Sequence, residues 1–418
     1  MDEVTIIDEW CLTESRLYSI SEEYGTPLYI YNQKVIENSI KSILEFPNAF
    51  GLKVRYAVKA NSNLSILRIF NNLGLHFDAS SEYEVEKLLY CGVEPEKISL
   101  VCQELPTDLM STIHSGVQFI ASSLHQLEMY AELFASTSVG IRINIGMGSG
   151  SFSKTTVGGP SASFGIWYEL LGEVKAICEE HSLTIDKIHC HIGSGNYPNK
   201  WVLAAETLLG LVENLPDVKT IDMGGGFKIS RYREKETECD ILDIGNRVKE
   251  KIIDFYNKTG RQIQIEIEPG TYLMARAGII LCKVIDIART SEYEFVKLNT
   301  GMTEIIRPCL YGAWHNIITL PKRENKKKYV FVGHCCESSD LISPSYGNGD
   351  KIDERISGEI RIGDLCIIKD AGAYCSSMCT KNYNFFPESA ELLLNNEENI
   401  LIRRKQTFAQ MIQNEDFY

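Results

Sequence analysis

The sequence lacks the features of a membrane-spanning or nucleic-acid-binding protein. Its 418 residues contain no apolar run that approaches the roughly 18 residues needed to cross a bilayer. Lysine and arginine total 42 against 56 aspartates and glutamates, a formal net charge of −14, and they form no dense basic stripe. An acidic chain of this kind is a poor candidate for nucleic-acid binding. We therefore expect neither a membrane nor a nucleic-acid partner.

The sequence also lacks a secretory signal and a disulfide framework. It opens Met-Asp-Glu, and no basic segment followed by an apolar one comes after. The 13 cysteines are odd in number and widely spread, as is typical of reduced thiols in a cytoplasm. With 44% hydrophobic and 23% charged residues, the composition is that of a globular enzyme with a substantial core. These features predict a cytoplasmic enzyme.

What is present is a repeated alternation of a short β-rich run and a helical pattern. One of the helical patterns follows a capping motif, Ser81-x-x-Glu84, and is expected to end at Tyr90. The predicted strands are 54–59, 75–79, 98–101, 118–121, 139–144, 185–191, 220–223 and 262–268. Eight such units favour a closed parallel (β/α)8 barrel, although an open α/β sheet would give the same local pattern.

The alternation stops near residue 275. Three later β-rich runs, at 278–288, 329–332 and 365–368, have no full-length helices between them. We therefore predict a barrel over residues 30–275 and a second, mostly β domain formed by 1–29 with 276–418. The extended run at 28–31 is expected to pair with that β domain.

Unusual residues lie at the predicted carboxyl ends of the barrel strands, where (β/α)8 enzymes carry their catalytic groups. Any one of them is explained as a solvated strand end, but the set as a whole is explained poorly in that way. The residues are Lys59, Asp78, Arg142, His191, the triplet Gly224, Gly225 and Gly226, and Glu268.

Lys59 and the glycines together indicate a phosphorylated aldehyde cofactor. Lys59 is expected to point into an apolar barrel mouth, where its pKa falls and its amine can form a Schiff base; the alternative is a surface lysine. Consecutive glycines can bring backbone N–H groups close to a phosphate, or can simply form a turn. Pyridoxal phosphate fits both features, with Glu268 on its ring nitrogen and His191 stacked on its ring.

A metal site is the less favoured interpretation. His189 and His191 alternate onto one face of a strand, but the sequence offers no third ligand at a suitable spacing. We therefore predict no metal.

Six motifs occur in an order that resembles the diaminopimelate decarboxylases, members of the fold-type III pyridoxal-phosphate decarboxylases with an alanine-racemase-like architecture. The resemblance runs from about residue 25 to the tail at 401–407, and residues 154–167 are similar to an insertion of that family. The motifs are Tyr-Ala-Val-Lys-Ala-Asn at 56–61, His-Ile-Gly-Ser-Gly at 191–195, Gly-Gly-Gly at 224–226, Glu-Pro-Gly at 268–270, Cys-Glu-Ser at 336–338 and Asp-Ala-Gly-Ala-Tyr at 370–374.

The resemblance implies a role for each matching residue. Lys59 is expected to hold pyridoxal 5′-phosphate covalently, and Cys336 to donate a proton and, with Glu337, to reach the active site of the partner subunit in a homodimer. Cofactor contacts are implied for Asp78, Arg142, His191, Ser194, Gly224, Gly225, Gly226, Glu268, Pro269, Gly270, Thr271 and Tyr374. Substrate contacts are implied for Thr271, Arg307, Tyr311, Glu337 and Tyr374, with Arg307 and Tyr311 on the distal carboxylate.

Thr271 departs from the family, which usually has arginine directly after Glu-Pro-Gly. A threonine offers one neutral hydrogen bond where arginine offers a charged fork, a loss of about 1.5–3 kcal/mol of binding. Arg276, five residues on, compensates only if it reaches the site. The departure bears on substrate identity more than on the type of reaction.

We accordingly expect decarboxylation of meso-2,6-diaminopimelate to L-lysine and CO2. The alternative within the class is a sister decarboxylase acting on another diamino acid or a specialised-metabolite precursor. A racemase needs a second base on the opposite ring face, and Cys336 with Glu337 fits it less well. Two alternatives from other classes would also explain Lys59: a non-catalytic cofactor-binding protein and a Schiff-base aldolase.

Overall fold

The computed structural model describes residues 5–7, 10–150, 153–195, 197–232 and 236–418. The acidic start at 1–3 and residues 151–152 of the Gly/Ser-rich segment 149–163 lie outside these ranges. The chain divides into two compact units. The barrel unit comprises Ile40–Ile229 and Thr237–Leu273, and the sheet unit comprises Met1–Ser39, Ser230–Glu236 and Met274–Tyr418.

The barrel unit is a closed ring of eight parallel strands, which confirms the predicted (β/α)8 barrel. Closure is made by the fifth and sixth strands, where Ile141 pairs with Ile188 and Arg142 with His189. A short extra strand, Ile166–Trp167, pairs with the fifth strand. The eight strands are Leu52–Ala57, His76–Ala79, Ile98–Leu100, Gln118–Ala121, Ser138–Asn144, Thr184–His189, Thr220–Asp222 and Gln264–Ile267.

Helices follow the barrel strands, as the alternation predicted. The hydroxyl of Ser81 accepts the N–H of Glu84 at 3.2 Å, and the Glu84 carboxylate accepts the N–H of Ser80 at 2.7 Å. The first bond satisfies an N–H group that the first helical turn leaves without a partner, and the second holds the residue before the cap, so the helix begins where the capping motif predicted. The barrel-unit helices are Leu64–Asn72, Glu82–Tyr90, Leu109–His114, Leu124–Leu133, Leu171–Glu180, Pro198–Val212 and Ile241–Thr259.

The sheet unit contains a nine-stranded, mostly antiparallel sheet. Its long central strand Gly278–Arg289 pairs with Leu28–Asn32, which confirms that this early segment joins the β domain. The remaining strands of the sheet are Glu294–Leu298, Ile317–Leu320, Lys327–Val332, Arg355–Ser357, Leu365–Ile368, Ala390–Asn395 and Glu398–Arg403. Leu28, Ile30, Ile279, Leu281, Ile367 and Leu392 form the core that this sheet buries.

The other elements are short or lie at the edges of the units. Two further small sheets pair Thr5–Ile7 with Leu12–Thr13 and Pro344–Ser345 with Asn348–Ile352. The remaining helices are Glu14–Tyr24, Gln33–Leu44, Thr271–Met274, Arg307–Tyr311 and Phe408–Met411. Within the described ranges, no helix combines the length and the apolar character needed to cross a membrane.

The sheet unit includes three segments that lie inside the predicted barrel range 30–275, namely residues 30–39, 230–236 and 274–275. Ser230–Glu236 lies between the seventh barrel strand and the helix that follows it, yet it clusters with the sheet unit. A strand-to-helix connection in sequence is therefore part of another unit in space.

Candidate active site

The structure gives Lys59 a carboxylate partner. Lys59 lies in a 3-10 turn, Val58–Ala60, directly after the first barrel strand. Its Nζ is 2.9 Å from Oδ2 of Asp78 and 3.3 Å from the Ser80 hydroxyl. Asp78 is on the neighbouring strand, in register with Ala57, and its side chain is almost fully buried. The expectation of a wholly apolar setting for Lys59 was wrong, because strand pairing places this carboxylate beside the amine.

Three glycines bring the loops after the sixth, seventh and eighth strands into close contact. A Cβ on Gly225 would lie 2.1 Å from the Glu268 carbonyl oxygen, and one on Gly226 would lie 2.2 Å from the carbonyl oxygen of Gly193. Gly226 also has a φ of +97°, which L side chains rarely adopt. The Asp222 carboxylate accepts the N–H of Gly224 at 2.9 Å and so orients the triplet. Only glycine fits at positions 225 and 226. The absence of side chains at these positions would also let the backbone N–H groups approach an anion closely.

His189, Asp222 and Glu268 form a buried cluster at the same ends of the strands. His189 Nε2 is 3.3 Å from Glu268 Oε2, and one donor atom from each of the three residues lies within 4.8 Å of the others. The sequence pattern suggested His189 only as a less favoured metal ligand and suggested no role for Asp222, because their neighbourhood exists only once the barrel closes. These three side chains could also hold a metal ion. The spacing of the sequence did not indicate that Asp222 and Glu268 would lie beside His189.

Burial controls the protonation of this cluster. Burial, followed by the Asp78 charge, raises the pKa of Glu268 from 4.5 to about 8. Burial, followed by the Glu268 charge, raises the pKa of Asp222 from 3.8 to about 8. Burial lowers the pKa of His189 to about 4, so the imidazole is neutral at pH 7. Burial therefore favours protons on the two carboxyl groups over a proton on the imidazole.

His191 and Arg142 lie beside the glycine cradle, Gly224–Gly226, and beside the cluster of His189, Asp222 and Glu268. A Cβ on Gly224 would be 2.8 Å from His191 Nδ1, so the glycine passes directly against the imidazole. Burial lowers the pKa of His191 well below 6.5, which leaves a flat neutral ring. The Arg142 guanidinium lies 5.2 Å from the centre of the Phe164 ring, and burial lowers its pKa. The strand ends bring these residues together, as expected, and their roles stay predictions.

The remaining barrel candidates lie in the loops after the sixth and eighth strands. The Ser194 N–H donates to the Thr155 carbonyl at 3.3 Å. Pro269 and Gly270 are buried directly after Glu268, and Thr271 is the half-buried first residue of the helix Thr271–Met274. The barrel unit thus holds all of the predicted cofactor contacts except Tyr374.

The sheet unit holds the predicted substrate residues other than Thr271. Arg307 and Tyr311 begin and end one short helix, and the Arg307 guanidinium lies 5.8 Å from the centre of the Tyr311 ring. The Glu337 carboxylate accepts the Tyr383 hydroxyl at 3.2 Å and the Ser339 N–H at 3.1 Å. These bonds, led by the one from Ser339, lower the pKa of Glu337, so it is a carboxylate at neutral pH.

Cys336, Tyr374 and Arg276 complete the sheet-unit candidates. Cys336 is exposed, and its N–H donates to the Asn384 side chain at 2.8 Å. Tyr374 has a φ of +56°, uncommon for a residue with a Cβ, and so stands in a strained turn. Arg276 lies in the 3-10 turn Ala275–Ala277.

Comparisons with known proteins agree on one group of enzymes. The family model described as pyridoxal-dependent decarboxylase, pyridoxal binding domain, matches residues 34–275. Diaminopimelate decarboxylase of Streptomyces coelicolor is 32% identical over 95% of this chain and 91% of its own length. A crystal structure of a diaminopimelate decarboxylase has a TM-score of 0.90 at 27% identity, covering 98% of each chain. The M. jannaschii diaminopimelate decarboxylase, solved in co-complex with L-lysine, has a TM-score of 0.84 at 26% identity, covering 96% of this chain and 94% of that one.

The barrel residues fit pyridoxal phosphate. Within the described ranges, several buried polar atoms at these strand ends have no hydrogen-bond partner: Asp78 Oδ1, His189 Nδ1, His191 Nδ1, Asp222 Oδ2 and Glu268 Oε1. Buried polar groups without partners are costly, and a polar ring held among them relieves that cost. A protonated carboxyl suits a pyridine nitrogen, the glycine cradle suits a phosphate, and Lys59 supplies the amine.

Proposed function

Because the chain belongs to the pyridoxal-dependent decarboxylases, we propose that it converts meso-2,6-diaminopimelate to L-lysine and CO2 in lysine biosynthesis. The observation that carries the proposal is that Lys59 with its partner Asp78, the triplet Gly224–Gly226 and the buried Glu268 lie at one end of one barrel. The full-length similarity to the Streptomyces coelicolor enzyme, 32% identical, supports the choice of substrate.

Each of the barrel residues has a distinct task in this reaction. Pyridoxal phosphate, when bound, supplies an electron sink for the electron pair that remains when CO2 leaves. Asp78 orients the Lys59 amine through the 2.9 Å contact. Glu268 holds a proton at Oε1 or Oε2 for the ring nitrogen, and neutral His189, 3.3 Å away, orients that carboxyl group. His191 and the glycine triplet bind the ring face and the phosphate.

The sheet-unit residues carry the substrate-specific part of the proposal. The resemblance supports Cys336 as the donor of the proton that replaces the lost carboxylate. It also supports Arg307 and Tyr311 as ligands of the distal carboxylate, with Glu337 and Tyr374 as further substrate contacts. The positions of Arg307 and Tyr311 on one helix, with the guanidinium 5.8 Å from the ring centre, support their action as a pair.

The assembly and the location are part of the proposal. We propose a homodimer in which Cys336 and Glu337 reach the active site of the partner subunit, on the strength of the resemblance alone. All 13 cysteines carry free thiols in the structure, which supports a reducing compartment such as the cytoplasm.

Thr271 favours a second candidate, a sister decarboxylase with a different diamino acid as substrate. The test is CO2 release by the holoenzyme from meso-diaminopimelate, L-lysine and L-ornithine at equal concentrations. We expect diaminopimelate to be preferred and L-lysine to accumulate in step with CO2. Faster release from L-lysine or L-ornithine would instead establish the sister activity, and no release from any of the three would refute both.

A further inference from the structure

We propose that Arg231 and Arg307 together form a carboxylate-binding site in the sheet unit, and that Arg231 is a specificity-determining residue for substrates with a second carboxylate. This inference rests on the proposed function for the identity of its ligand. Arg231 was not among the candidate residues identified from the sequence. It lies in the segment Ser230–Glu236, which belongs to the sheet unit.

The first support is that both guanidinium groups carry buried donors with no partner. Arg231 Nη2 and Arg307 Nε are buried nitrogen atoms without a hydrogen-bond partner in the part of the chain that the structure describes. Arginine is almost always charged, and its N–H groups are rarely buried without an acceptor. Arg355 Nε in the same unit also lacks a partner, but the other Arg355 nitrogen atoms donate to Asp353 and Pro344. For Arg231 and Arg307, we take the unpaired donors to indicate a missing anionic acceptor.

The second support is that the positive charge of Arg307 acts on both Arg231 and His315. Burial, followed by the positive charge of Arg307, lowers the pKa of Arg231 to about 10. Burial, followed by Arg231 and then Arg307, lowers the pKa of His315 well below 6.5. His315 is therefore neutral, and its Nδ1–H donates to the Lys369 carbonyl at 2.8 Å. A carboxylate between the two guanidinium groups would relieve their repulsion.

The nearby acidic groups leave these donors unsatisfied. Both oxygens of Glu236 are engaged: Oε2 accepts the N–H groups of Arg231 and Tyr232 at 2.7 and 2.9 Å, and Oε1 accepts the Tyr346 hydroxyl at 3.1 Å. The Asp370 charge raises the pKa of Arg231, and its carbonyl oxygen lies 3.5 Å from Arg231 Nε. Arg231 Nη2 remains without a partner beside both groups.

The segment is held in a way that preorganises Arg231. The Tyr232 ring stacks on Trp314, with ring centres 3.9 Å apart and planes 8° apart. Trp314 directly precedes His315. The Glu236 carboxylate accepts the backbone N–H of Arg231 and so fixes this part of the segment. A fixed guanidinium loses little freedom on binding, so the site favours a bidentate carboxylate.

The choice of ligand follows from Thr271. Where a family arginine is expected, this chain has a residue with one neutral donor, and Arg231 provides a guanidinium elsewhere in the sequence. We infer that Arg231 supplies the second charged contact to the distal carboxylate, with Arg307 supplying the first.

The experiment compares Arg231→Gln and Arg231→Lys with the control Arg361→Gln, whose side chain is 65% exposed on the same unit. With meso-diaminopimelate, Arg231→Gln should raise KM about ten- to one-hundredfold with a smaller change in kcat. Arg231→Lys, which keeps the charge but loses the fork, should recover part of the loss. Arg361→Gln should match the unmodified enzyme, and the cofactor absorbance of all variants should be the same.

Calorimetry with pimelate, a dicarboxylate that cannot react, provides a readout separate from turnover. Its affinity for the holoenzyme should fall in Arg231→Gln by a factor similar to the change in KM. An unchanged KM and unchanged pimelate affinity in both folded Arg231 variants would overturn the inference and leave the proposed function intact. If the unmodified enzyme does not decarboxylate diaminopimelate, the proposed function fails, while loss of pimelate binding in Arg231→Gln still establishes a carboxylate site. Should Arg231→Gln fail to fold, Arg231→Lys decides by the same two measurements.

Discussion

The Lys59 amine lies 2.9 Å from the carboxylate of Asp78, a residue 19 positions later in the chain. The Lys59 side chain is 44% exposed, whereas that of Asp78 is 2% exposed, so a buried carboxylate supports an accessible amine. This geometry suits an amine that must be reached by an aldehyde and yet be held in one orientation.

Replacement of Lys59 is expected to abolish the attachment of the cofactor. Lys59→Ala removes the amine that contacts Asp78, so protein supplied with pyridoxal phosphate should lack the absorbance band at about 420 nm and should not release CO2. Lys34→Ala, at a side chain that is 65% exposed on a helix, is the control. Borohydride reduction followed by peptide mapping should place the label on Lys59, and a label elsewhere would contradict the assignment.

Replacement of Glu268 is expected to slow the chemistry and to change the pH dependence of stability. Glu268→Gln cannot hold a transferable proton, so kcat should fall about a hundredfold or more while the phosphate cradle stays intact. Because burial raises the pKa of Glu268 to about 8, the folded apoprotein binds a proton that the unfolded chain releases above about 4.5. Its contribution to stability is therefore complete below about pH 4.5 and is lost as pH rises toward 8.

Thermal unfolding of the apoprotein measures this linkage. The midpoint should fall as pH rises between about 5 and 8, and Glu268→Gln should make that slope shallower. A slope identical in the two proteins would show that Glu268 does not titrate in this window.

Replacement of Cys336 is expected to separate cofactor binding from turnover. Cys336→Ala should keep the cofactor absorbance while lowering kcat about a hundredfold or more, because the proton donor is lost. Cys335→Ala is a matched control next to it, since burial, followed by the Asp340 charge, raises the pKa of Cys335 to about 12 and keeps it a thiol. Turnover that is unchanged in Cys336→Ala would remove this residue from the mechanism.

Addition of a methyl group at Gly225 is expected to destabilise the barrel. Gly225→Ala brings a Cβ to 2.1 Å from the Glu268 carbonyl oxygen, a backbone atom that cannot move freely. We expect a loss of at least about 1–3 kcal/mol in the free energy of unfolding and weaker cofactor binding.

Gly210→Ala is the control, because no atom lies within 4 Å of the added Cβ. Gly210 is exposed in the helix Pro198–Val212, so alanine there should stabilise the protein by about 0.5–1 kcal/mol. Urea denaturation of both variants measures the difference. Equal stabilities would mean that the loops after the seventh and eighth strands do not make the close contact described between Gly225 and Glu268.

Local sequence patterns were sufficient to predict most of the barrel elements. The helix after Ser81 ends at Tyr90 as predicted, since its cap and its spacing are set by neighbouring residues. The sixth strand was predicted to reach His191 but ends at His189. This difference places His191 in the loop beyond the strand, against Gly224, where its ring can face a ligand.

The sequence by itself determined eight strand-and-helix units, the β-rich second unit and the placement of Lys59, His191, the glycines and Glu268 at or just beyond strand ends, because strand and turn formation depend on short-range periodicity and on glycine. Tertiary structure alone decided that the eight strands close into a barrel, that Asp78 supports Lys59, and that His189 and Asp222 join Glu268. Lys59 and Asp78 are 19 positions apart and His189 and Glu268 are 79 apart, and no local pattern encodes the register and closure that bring them together.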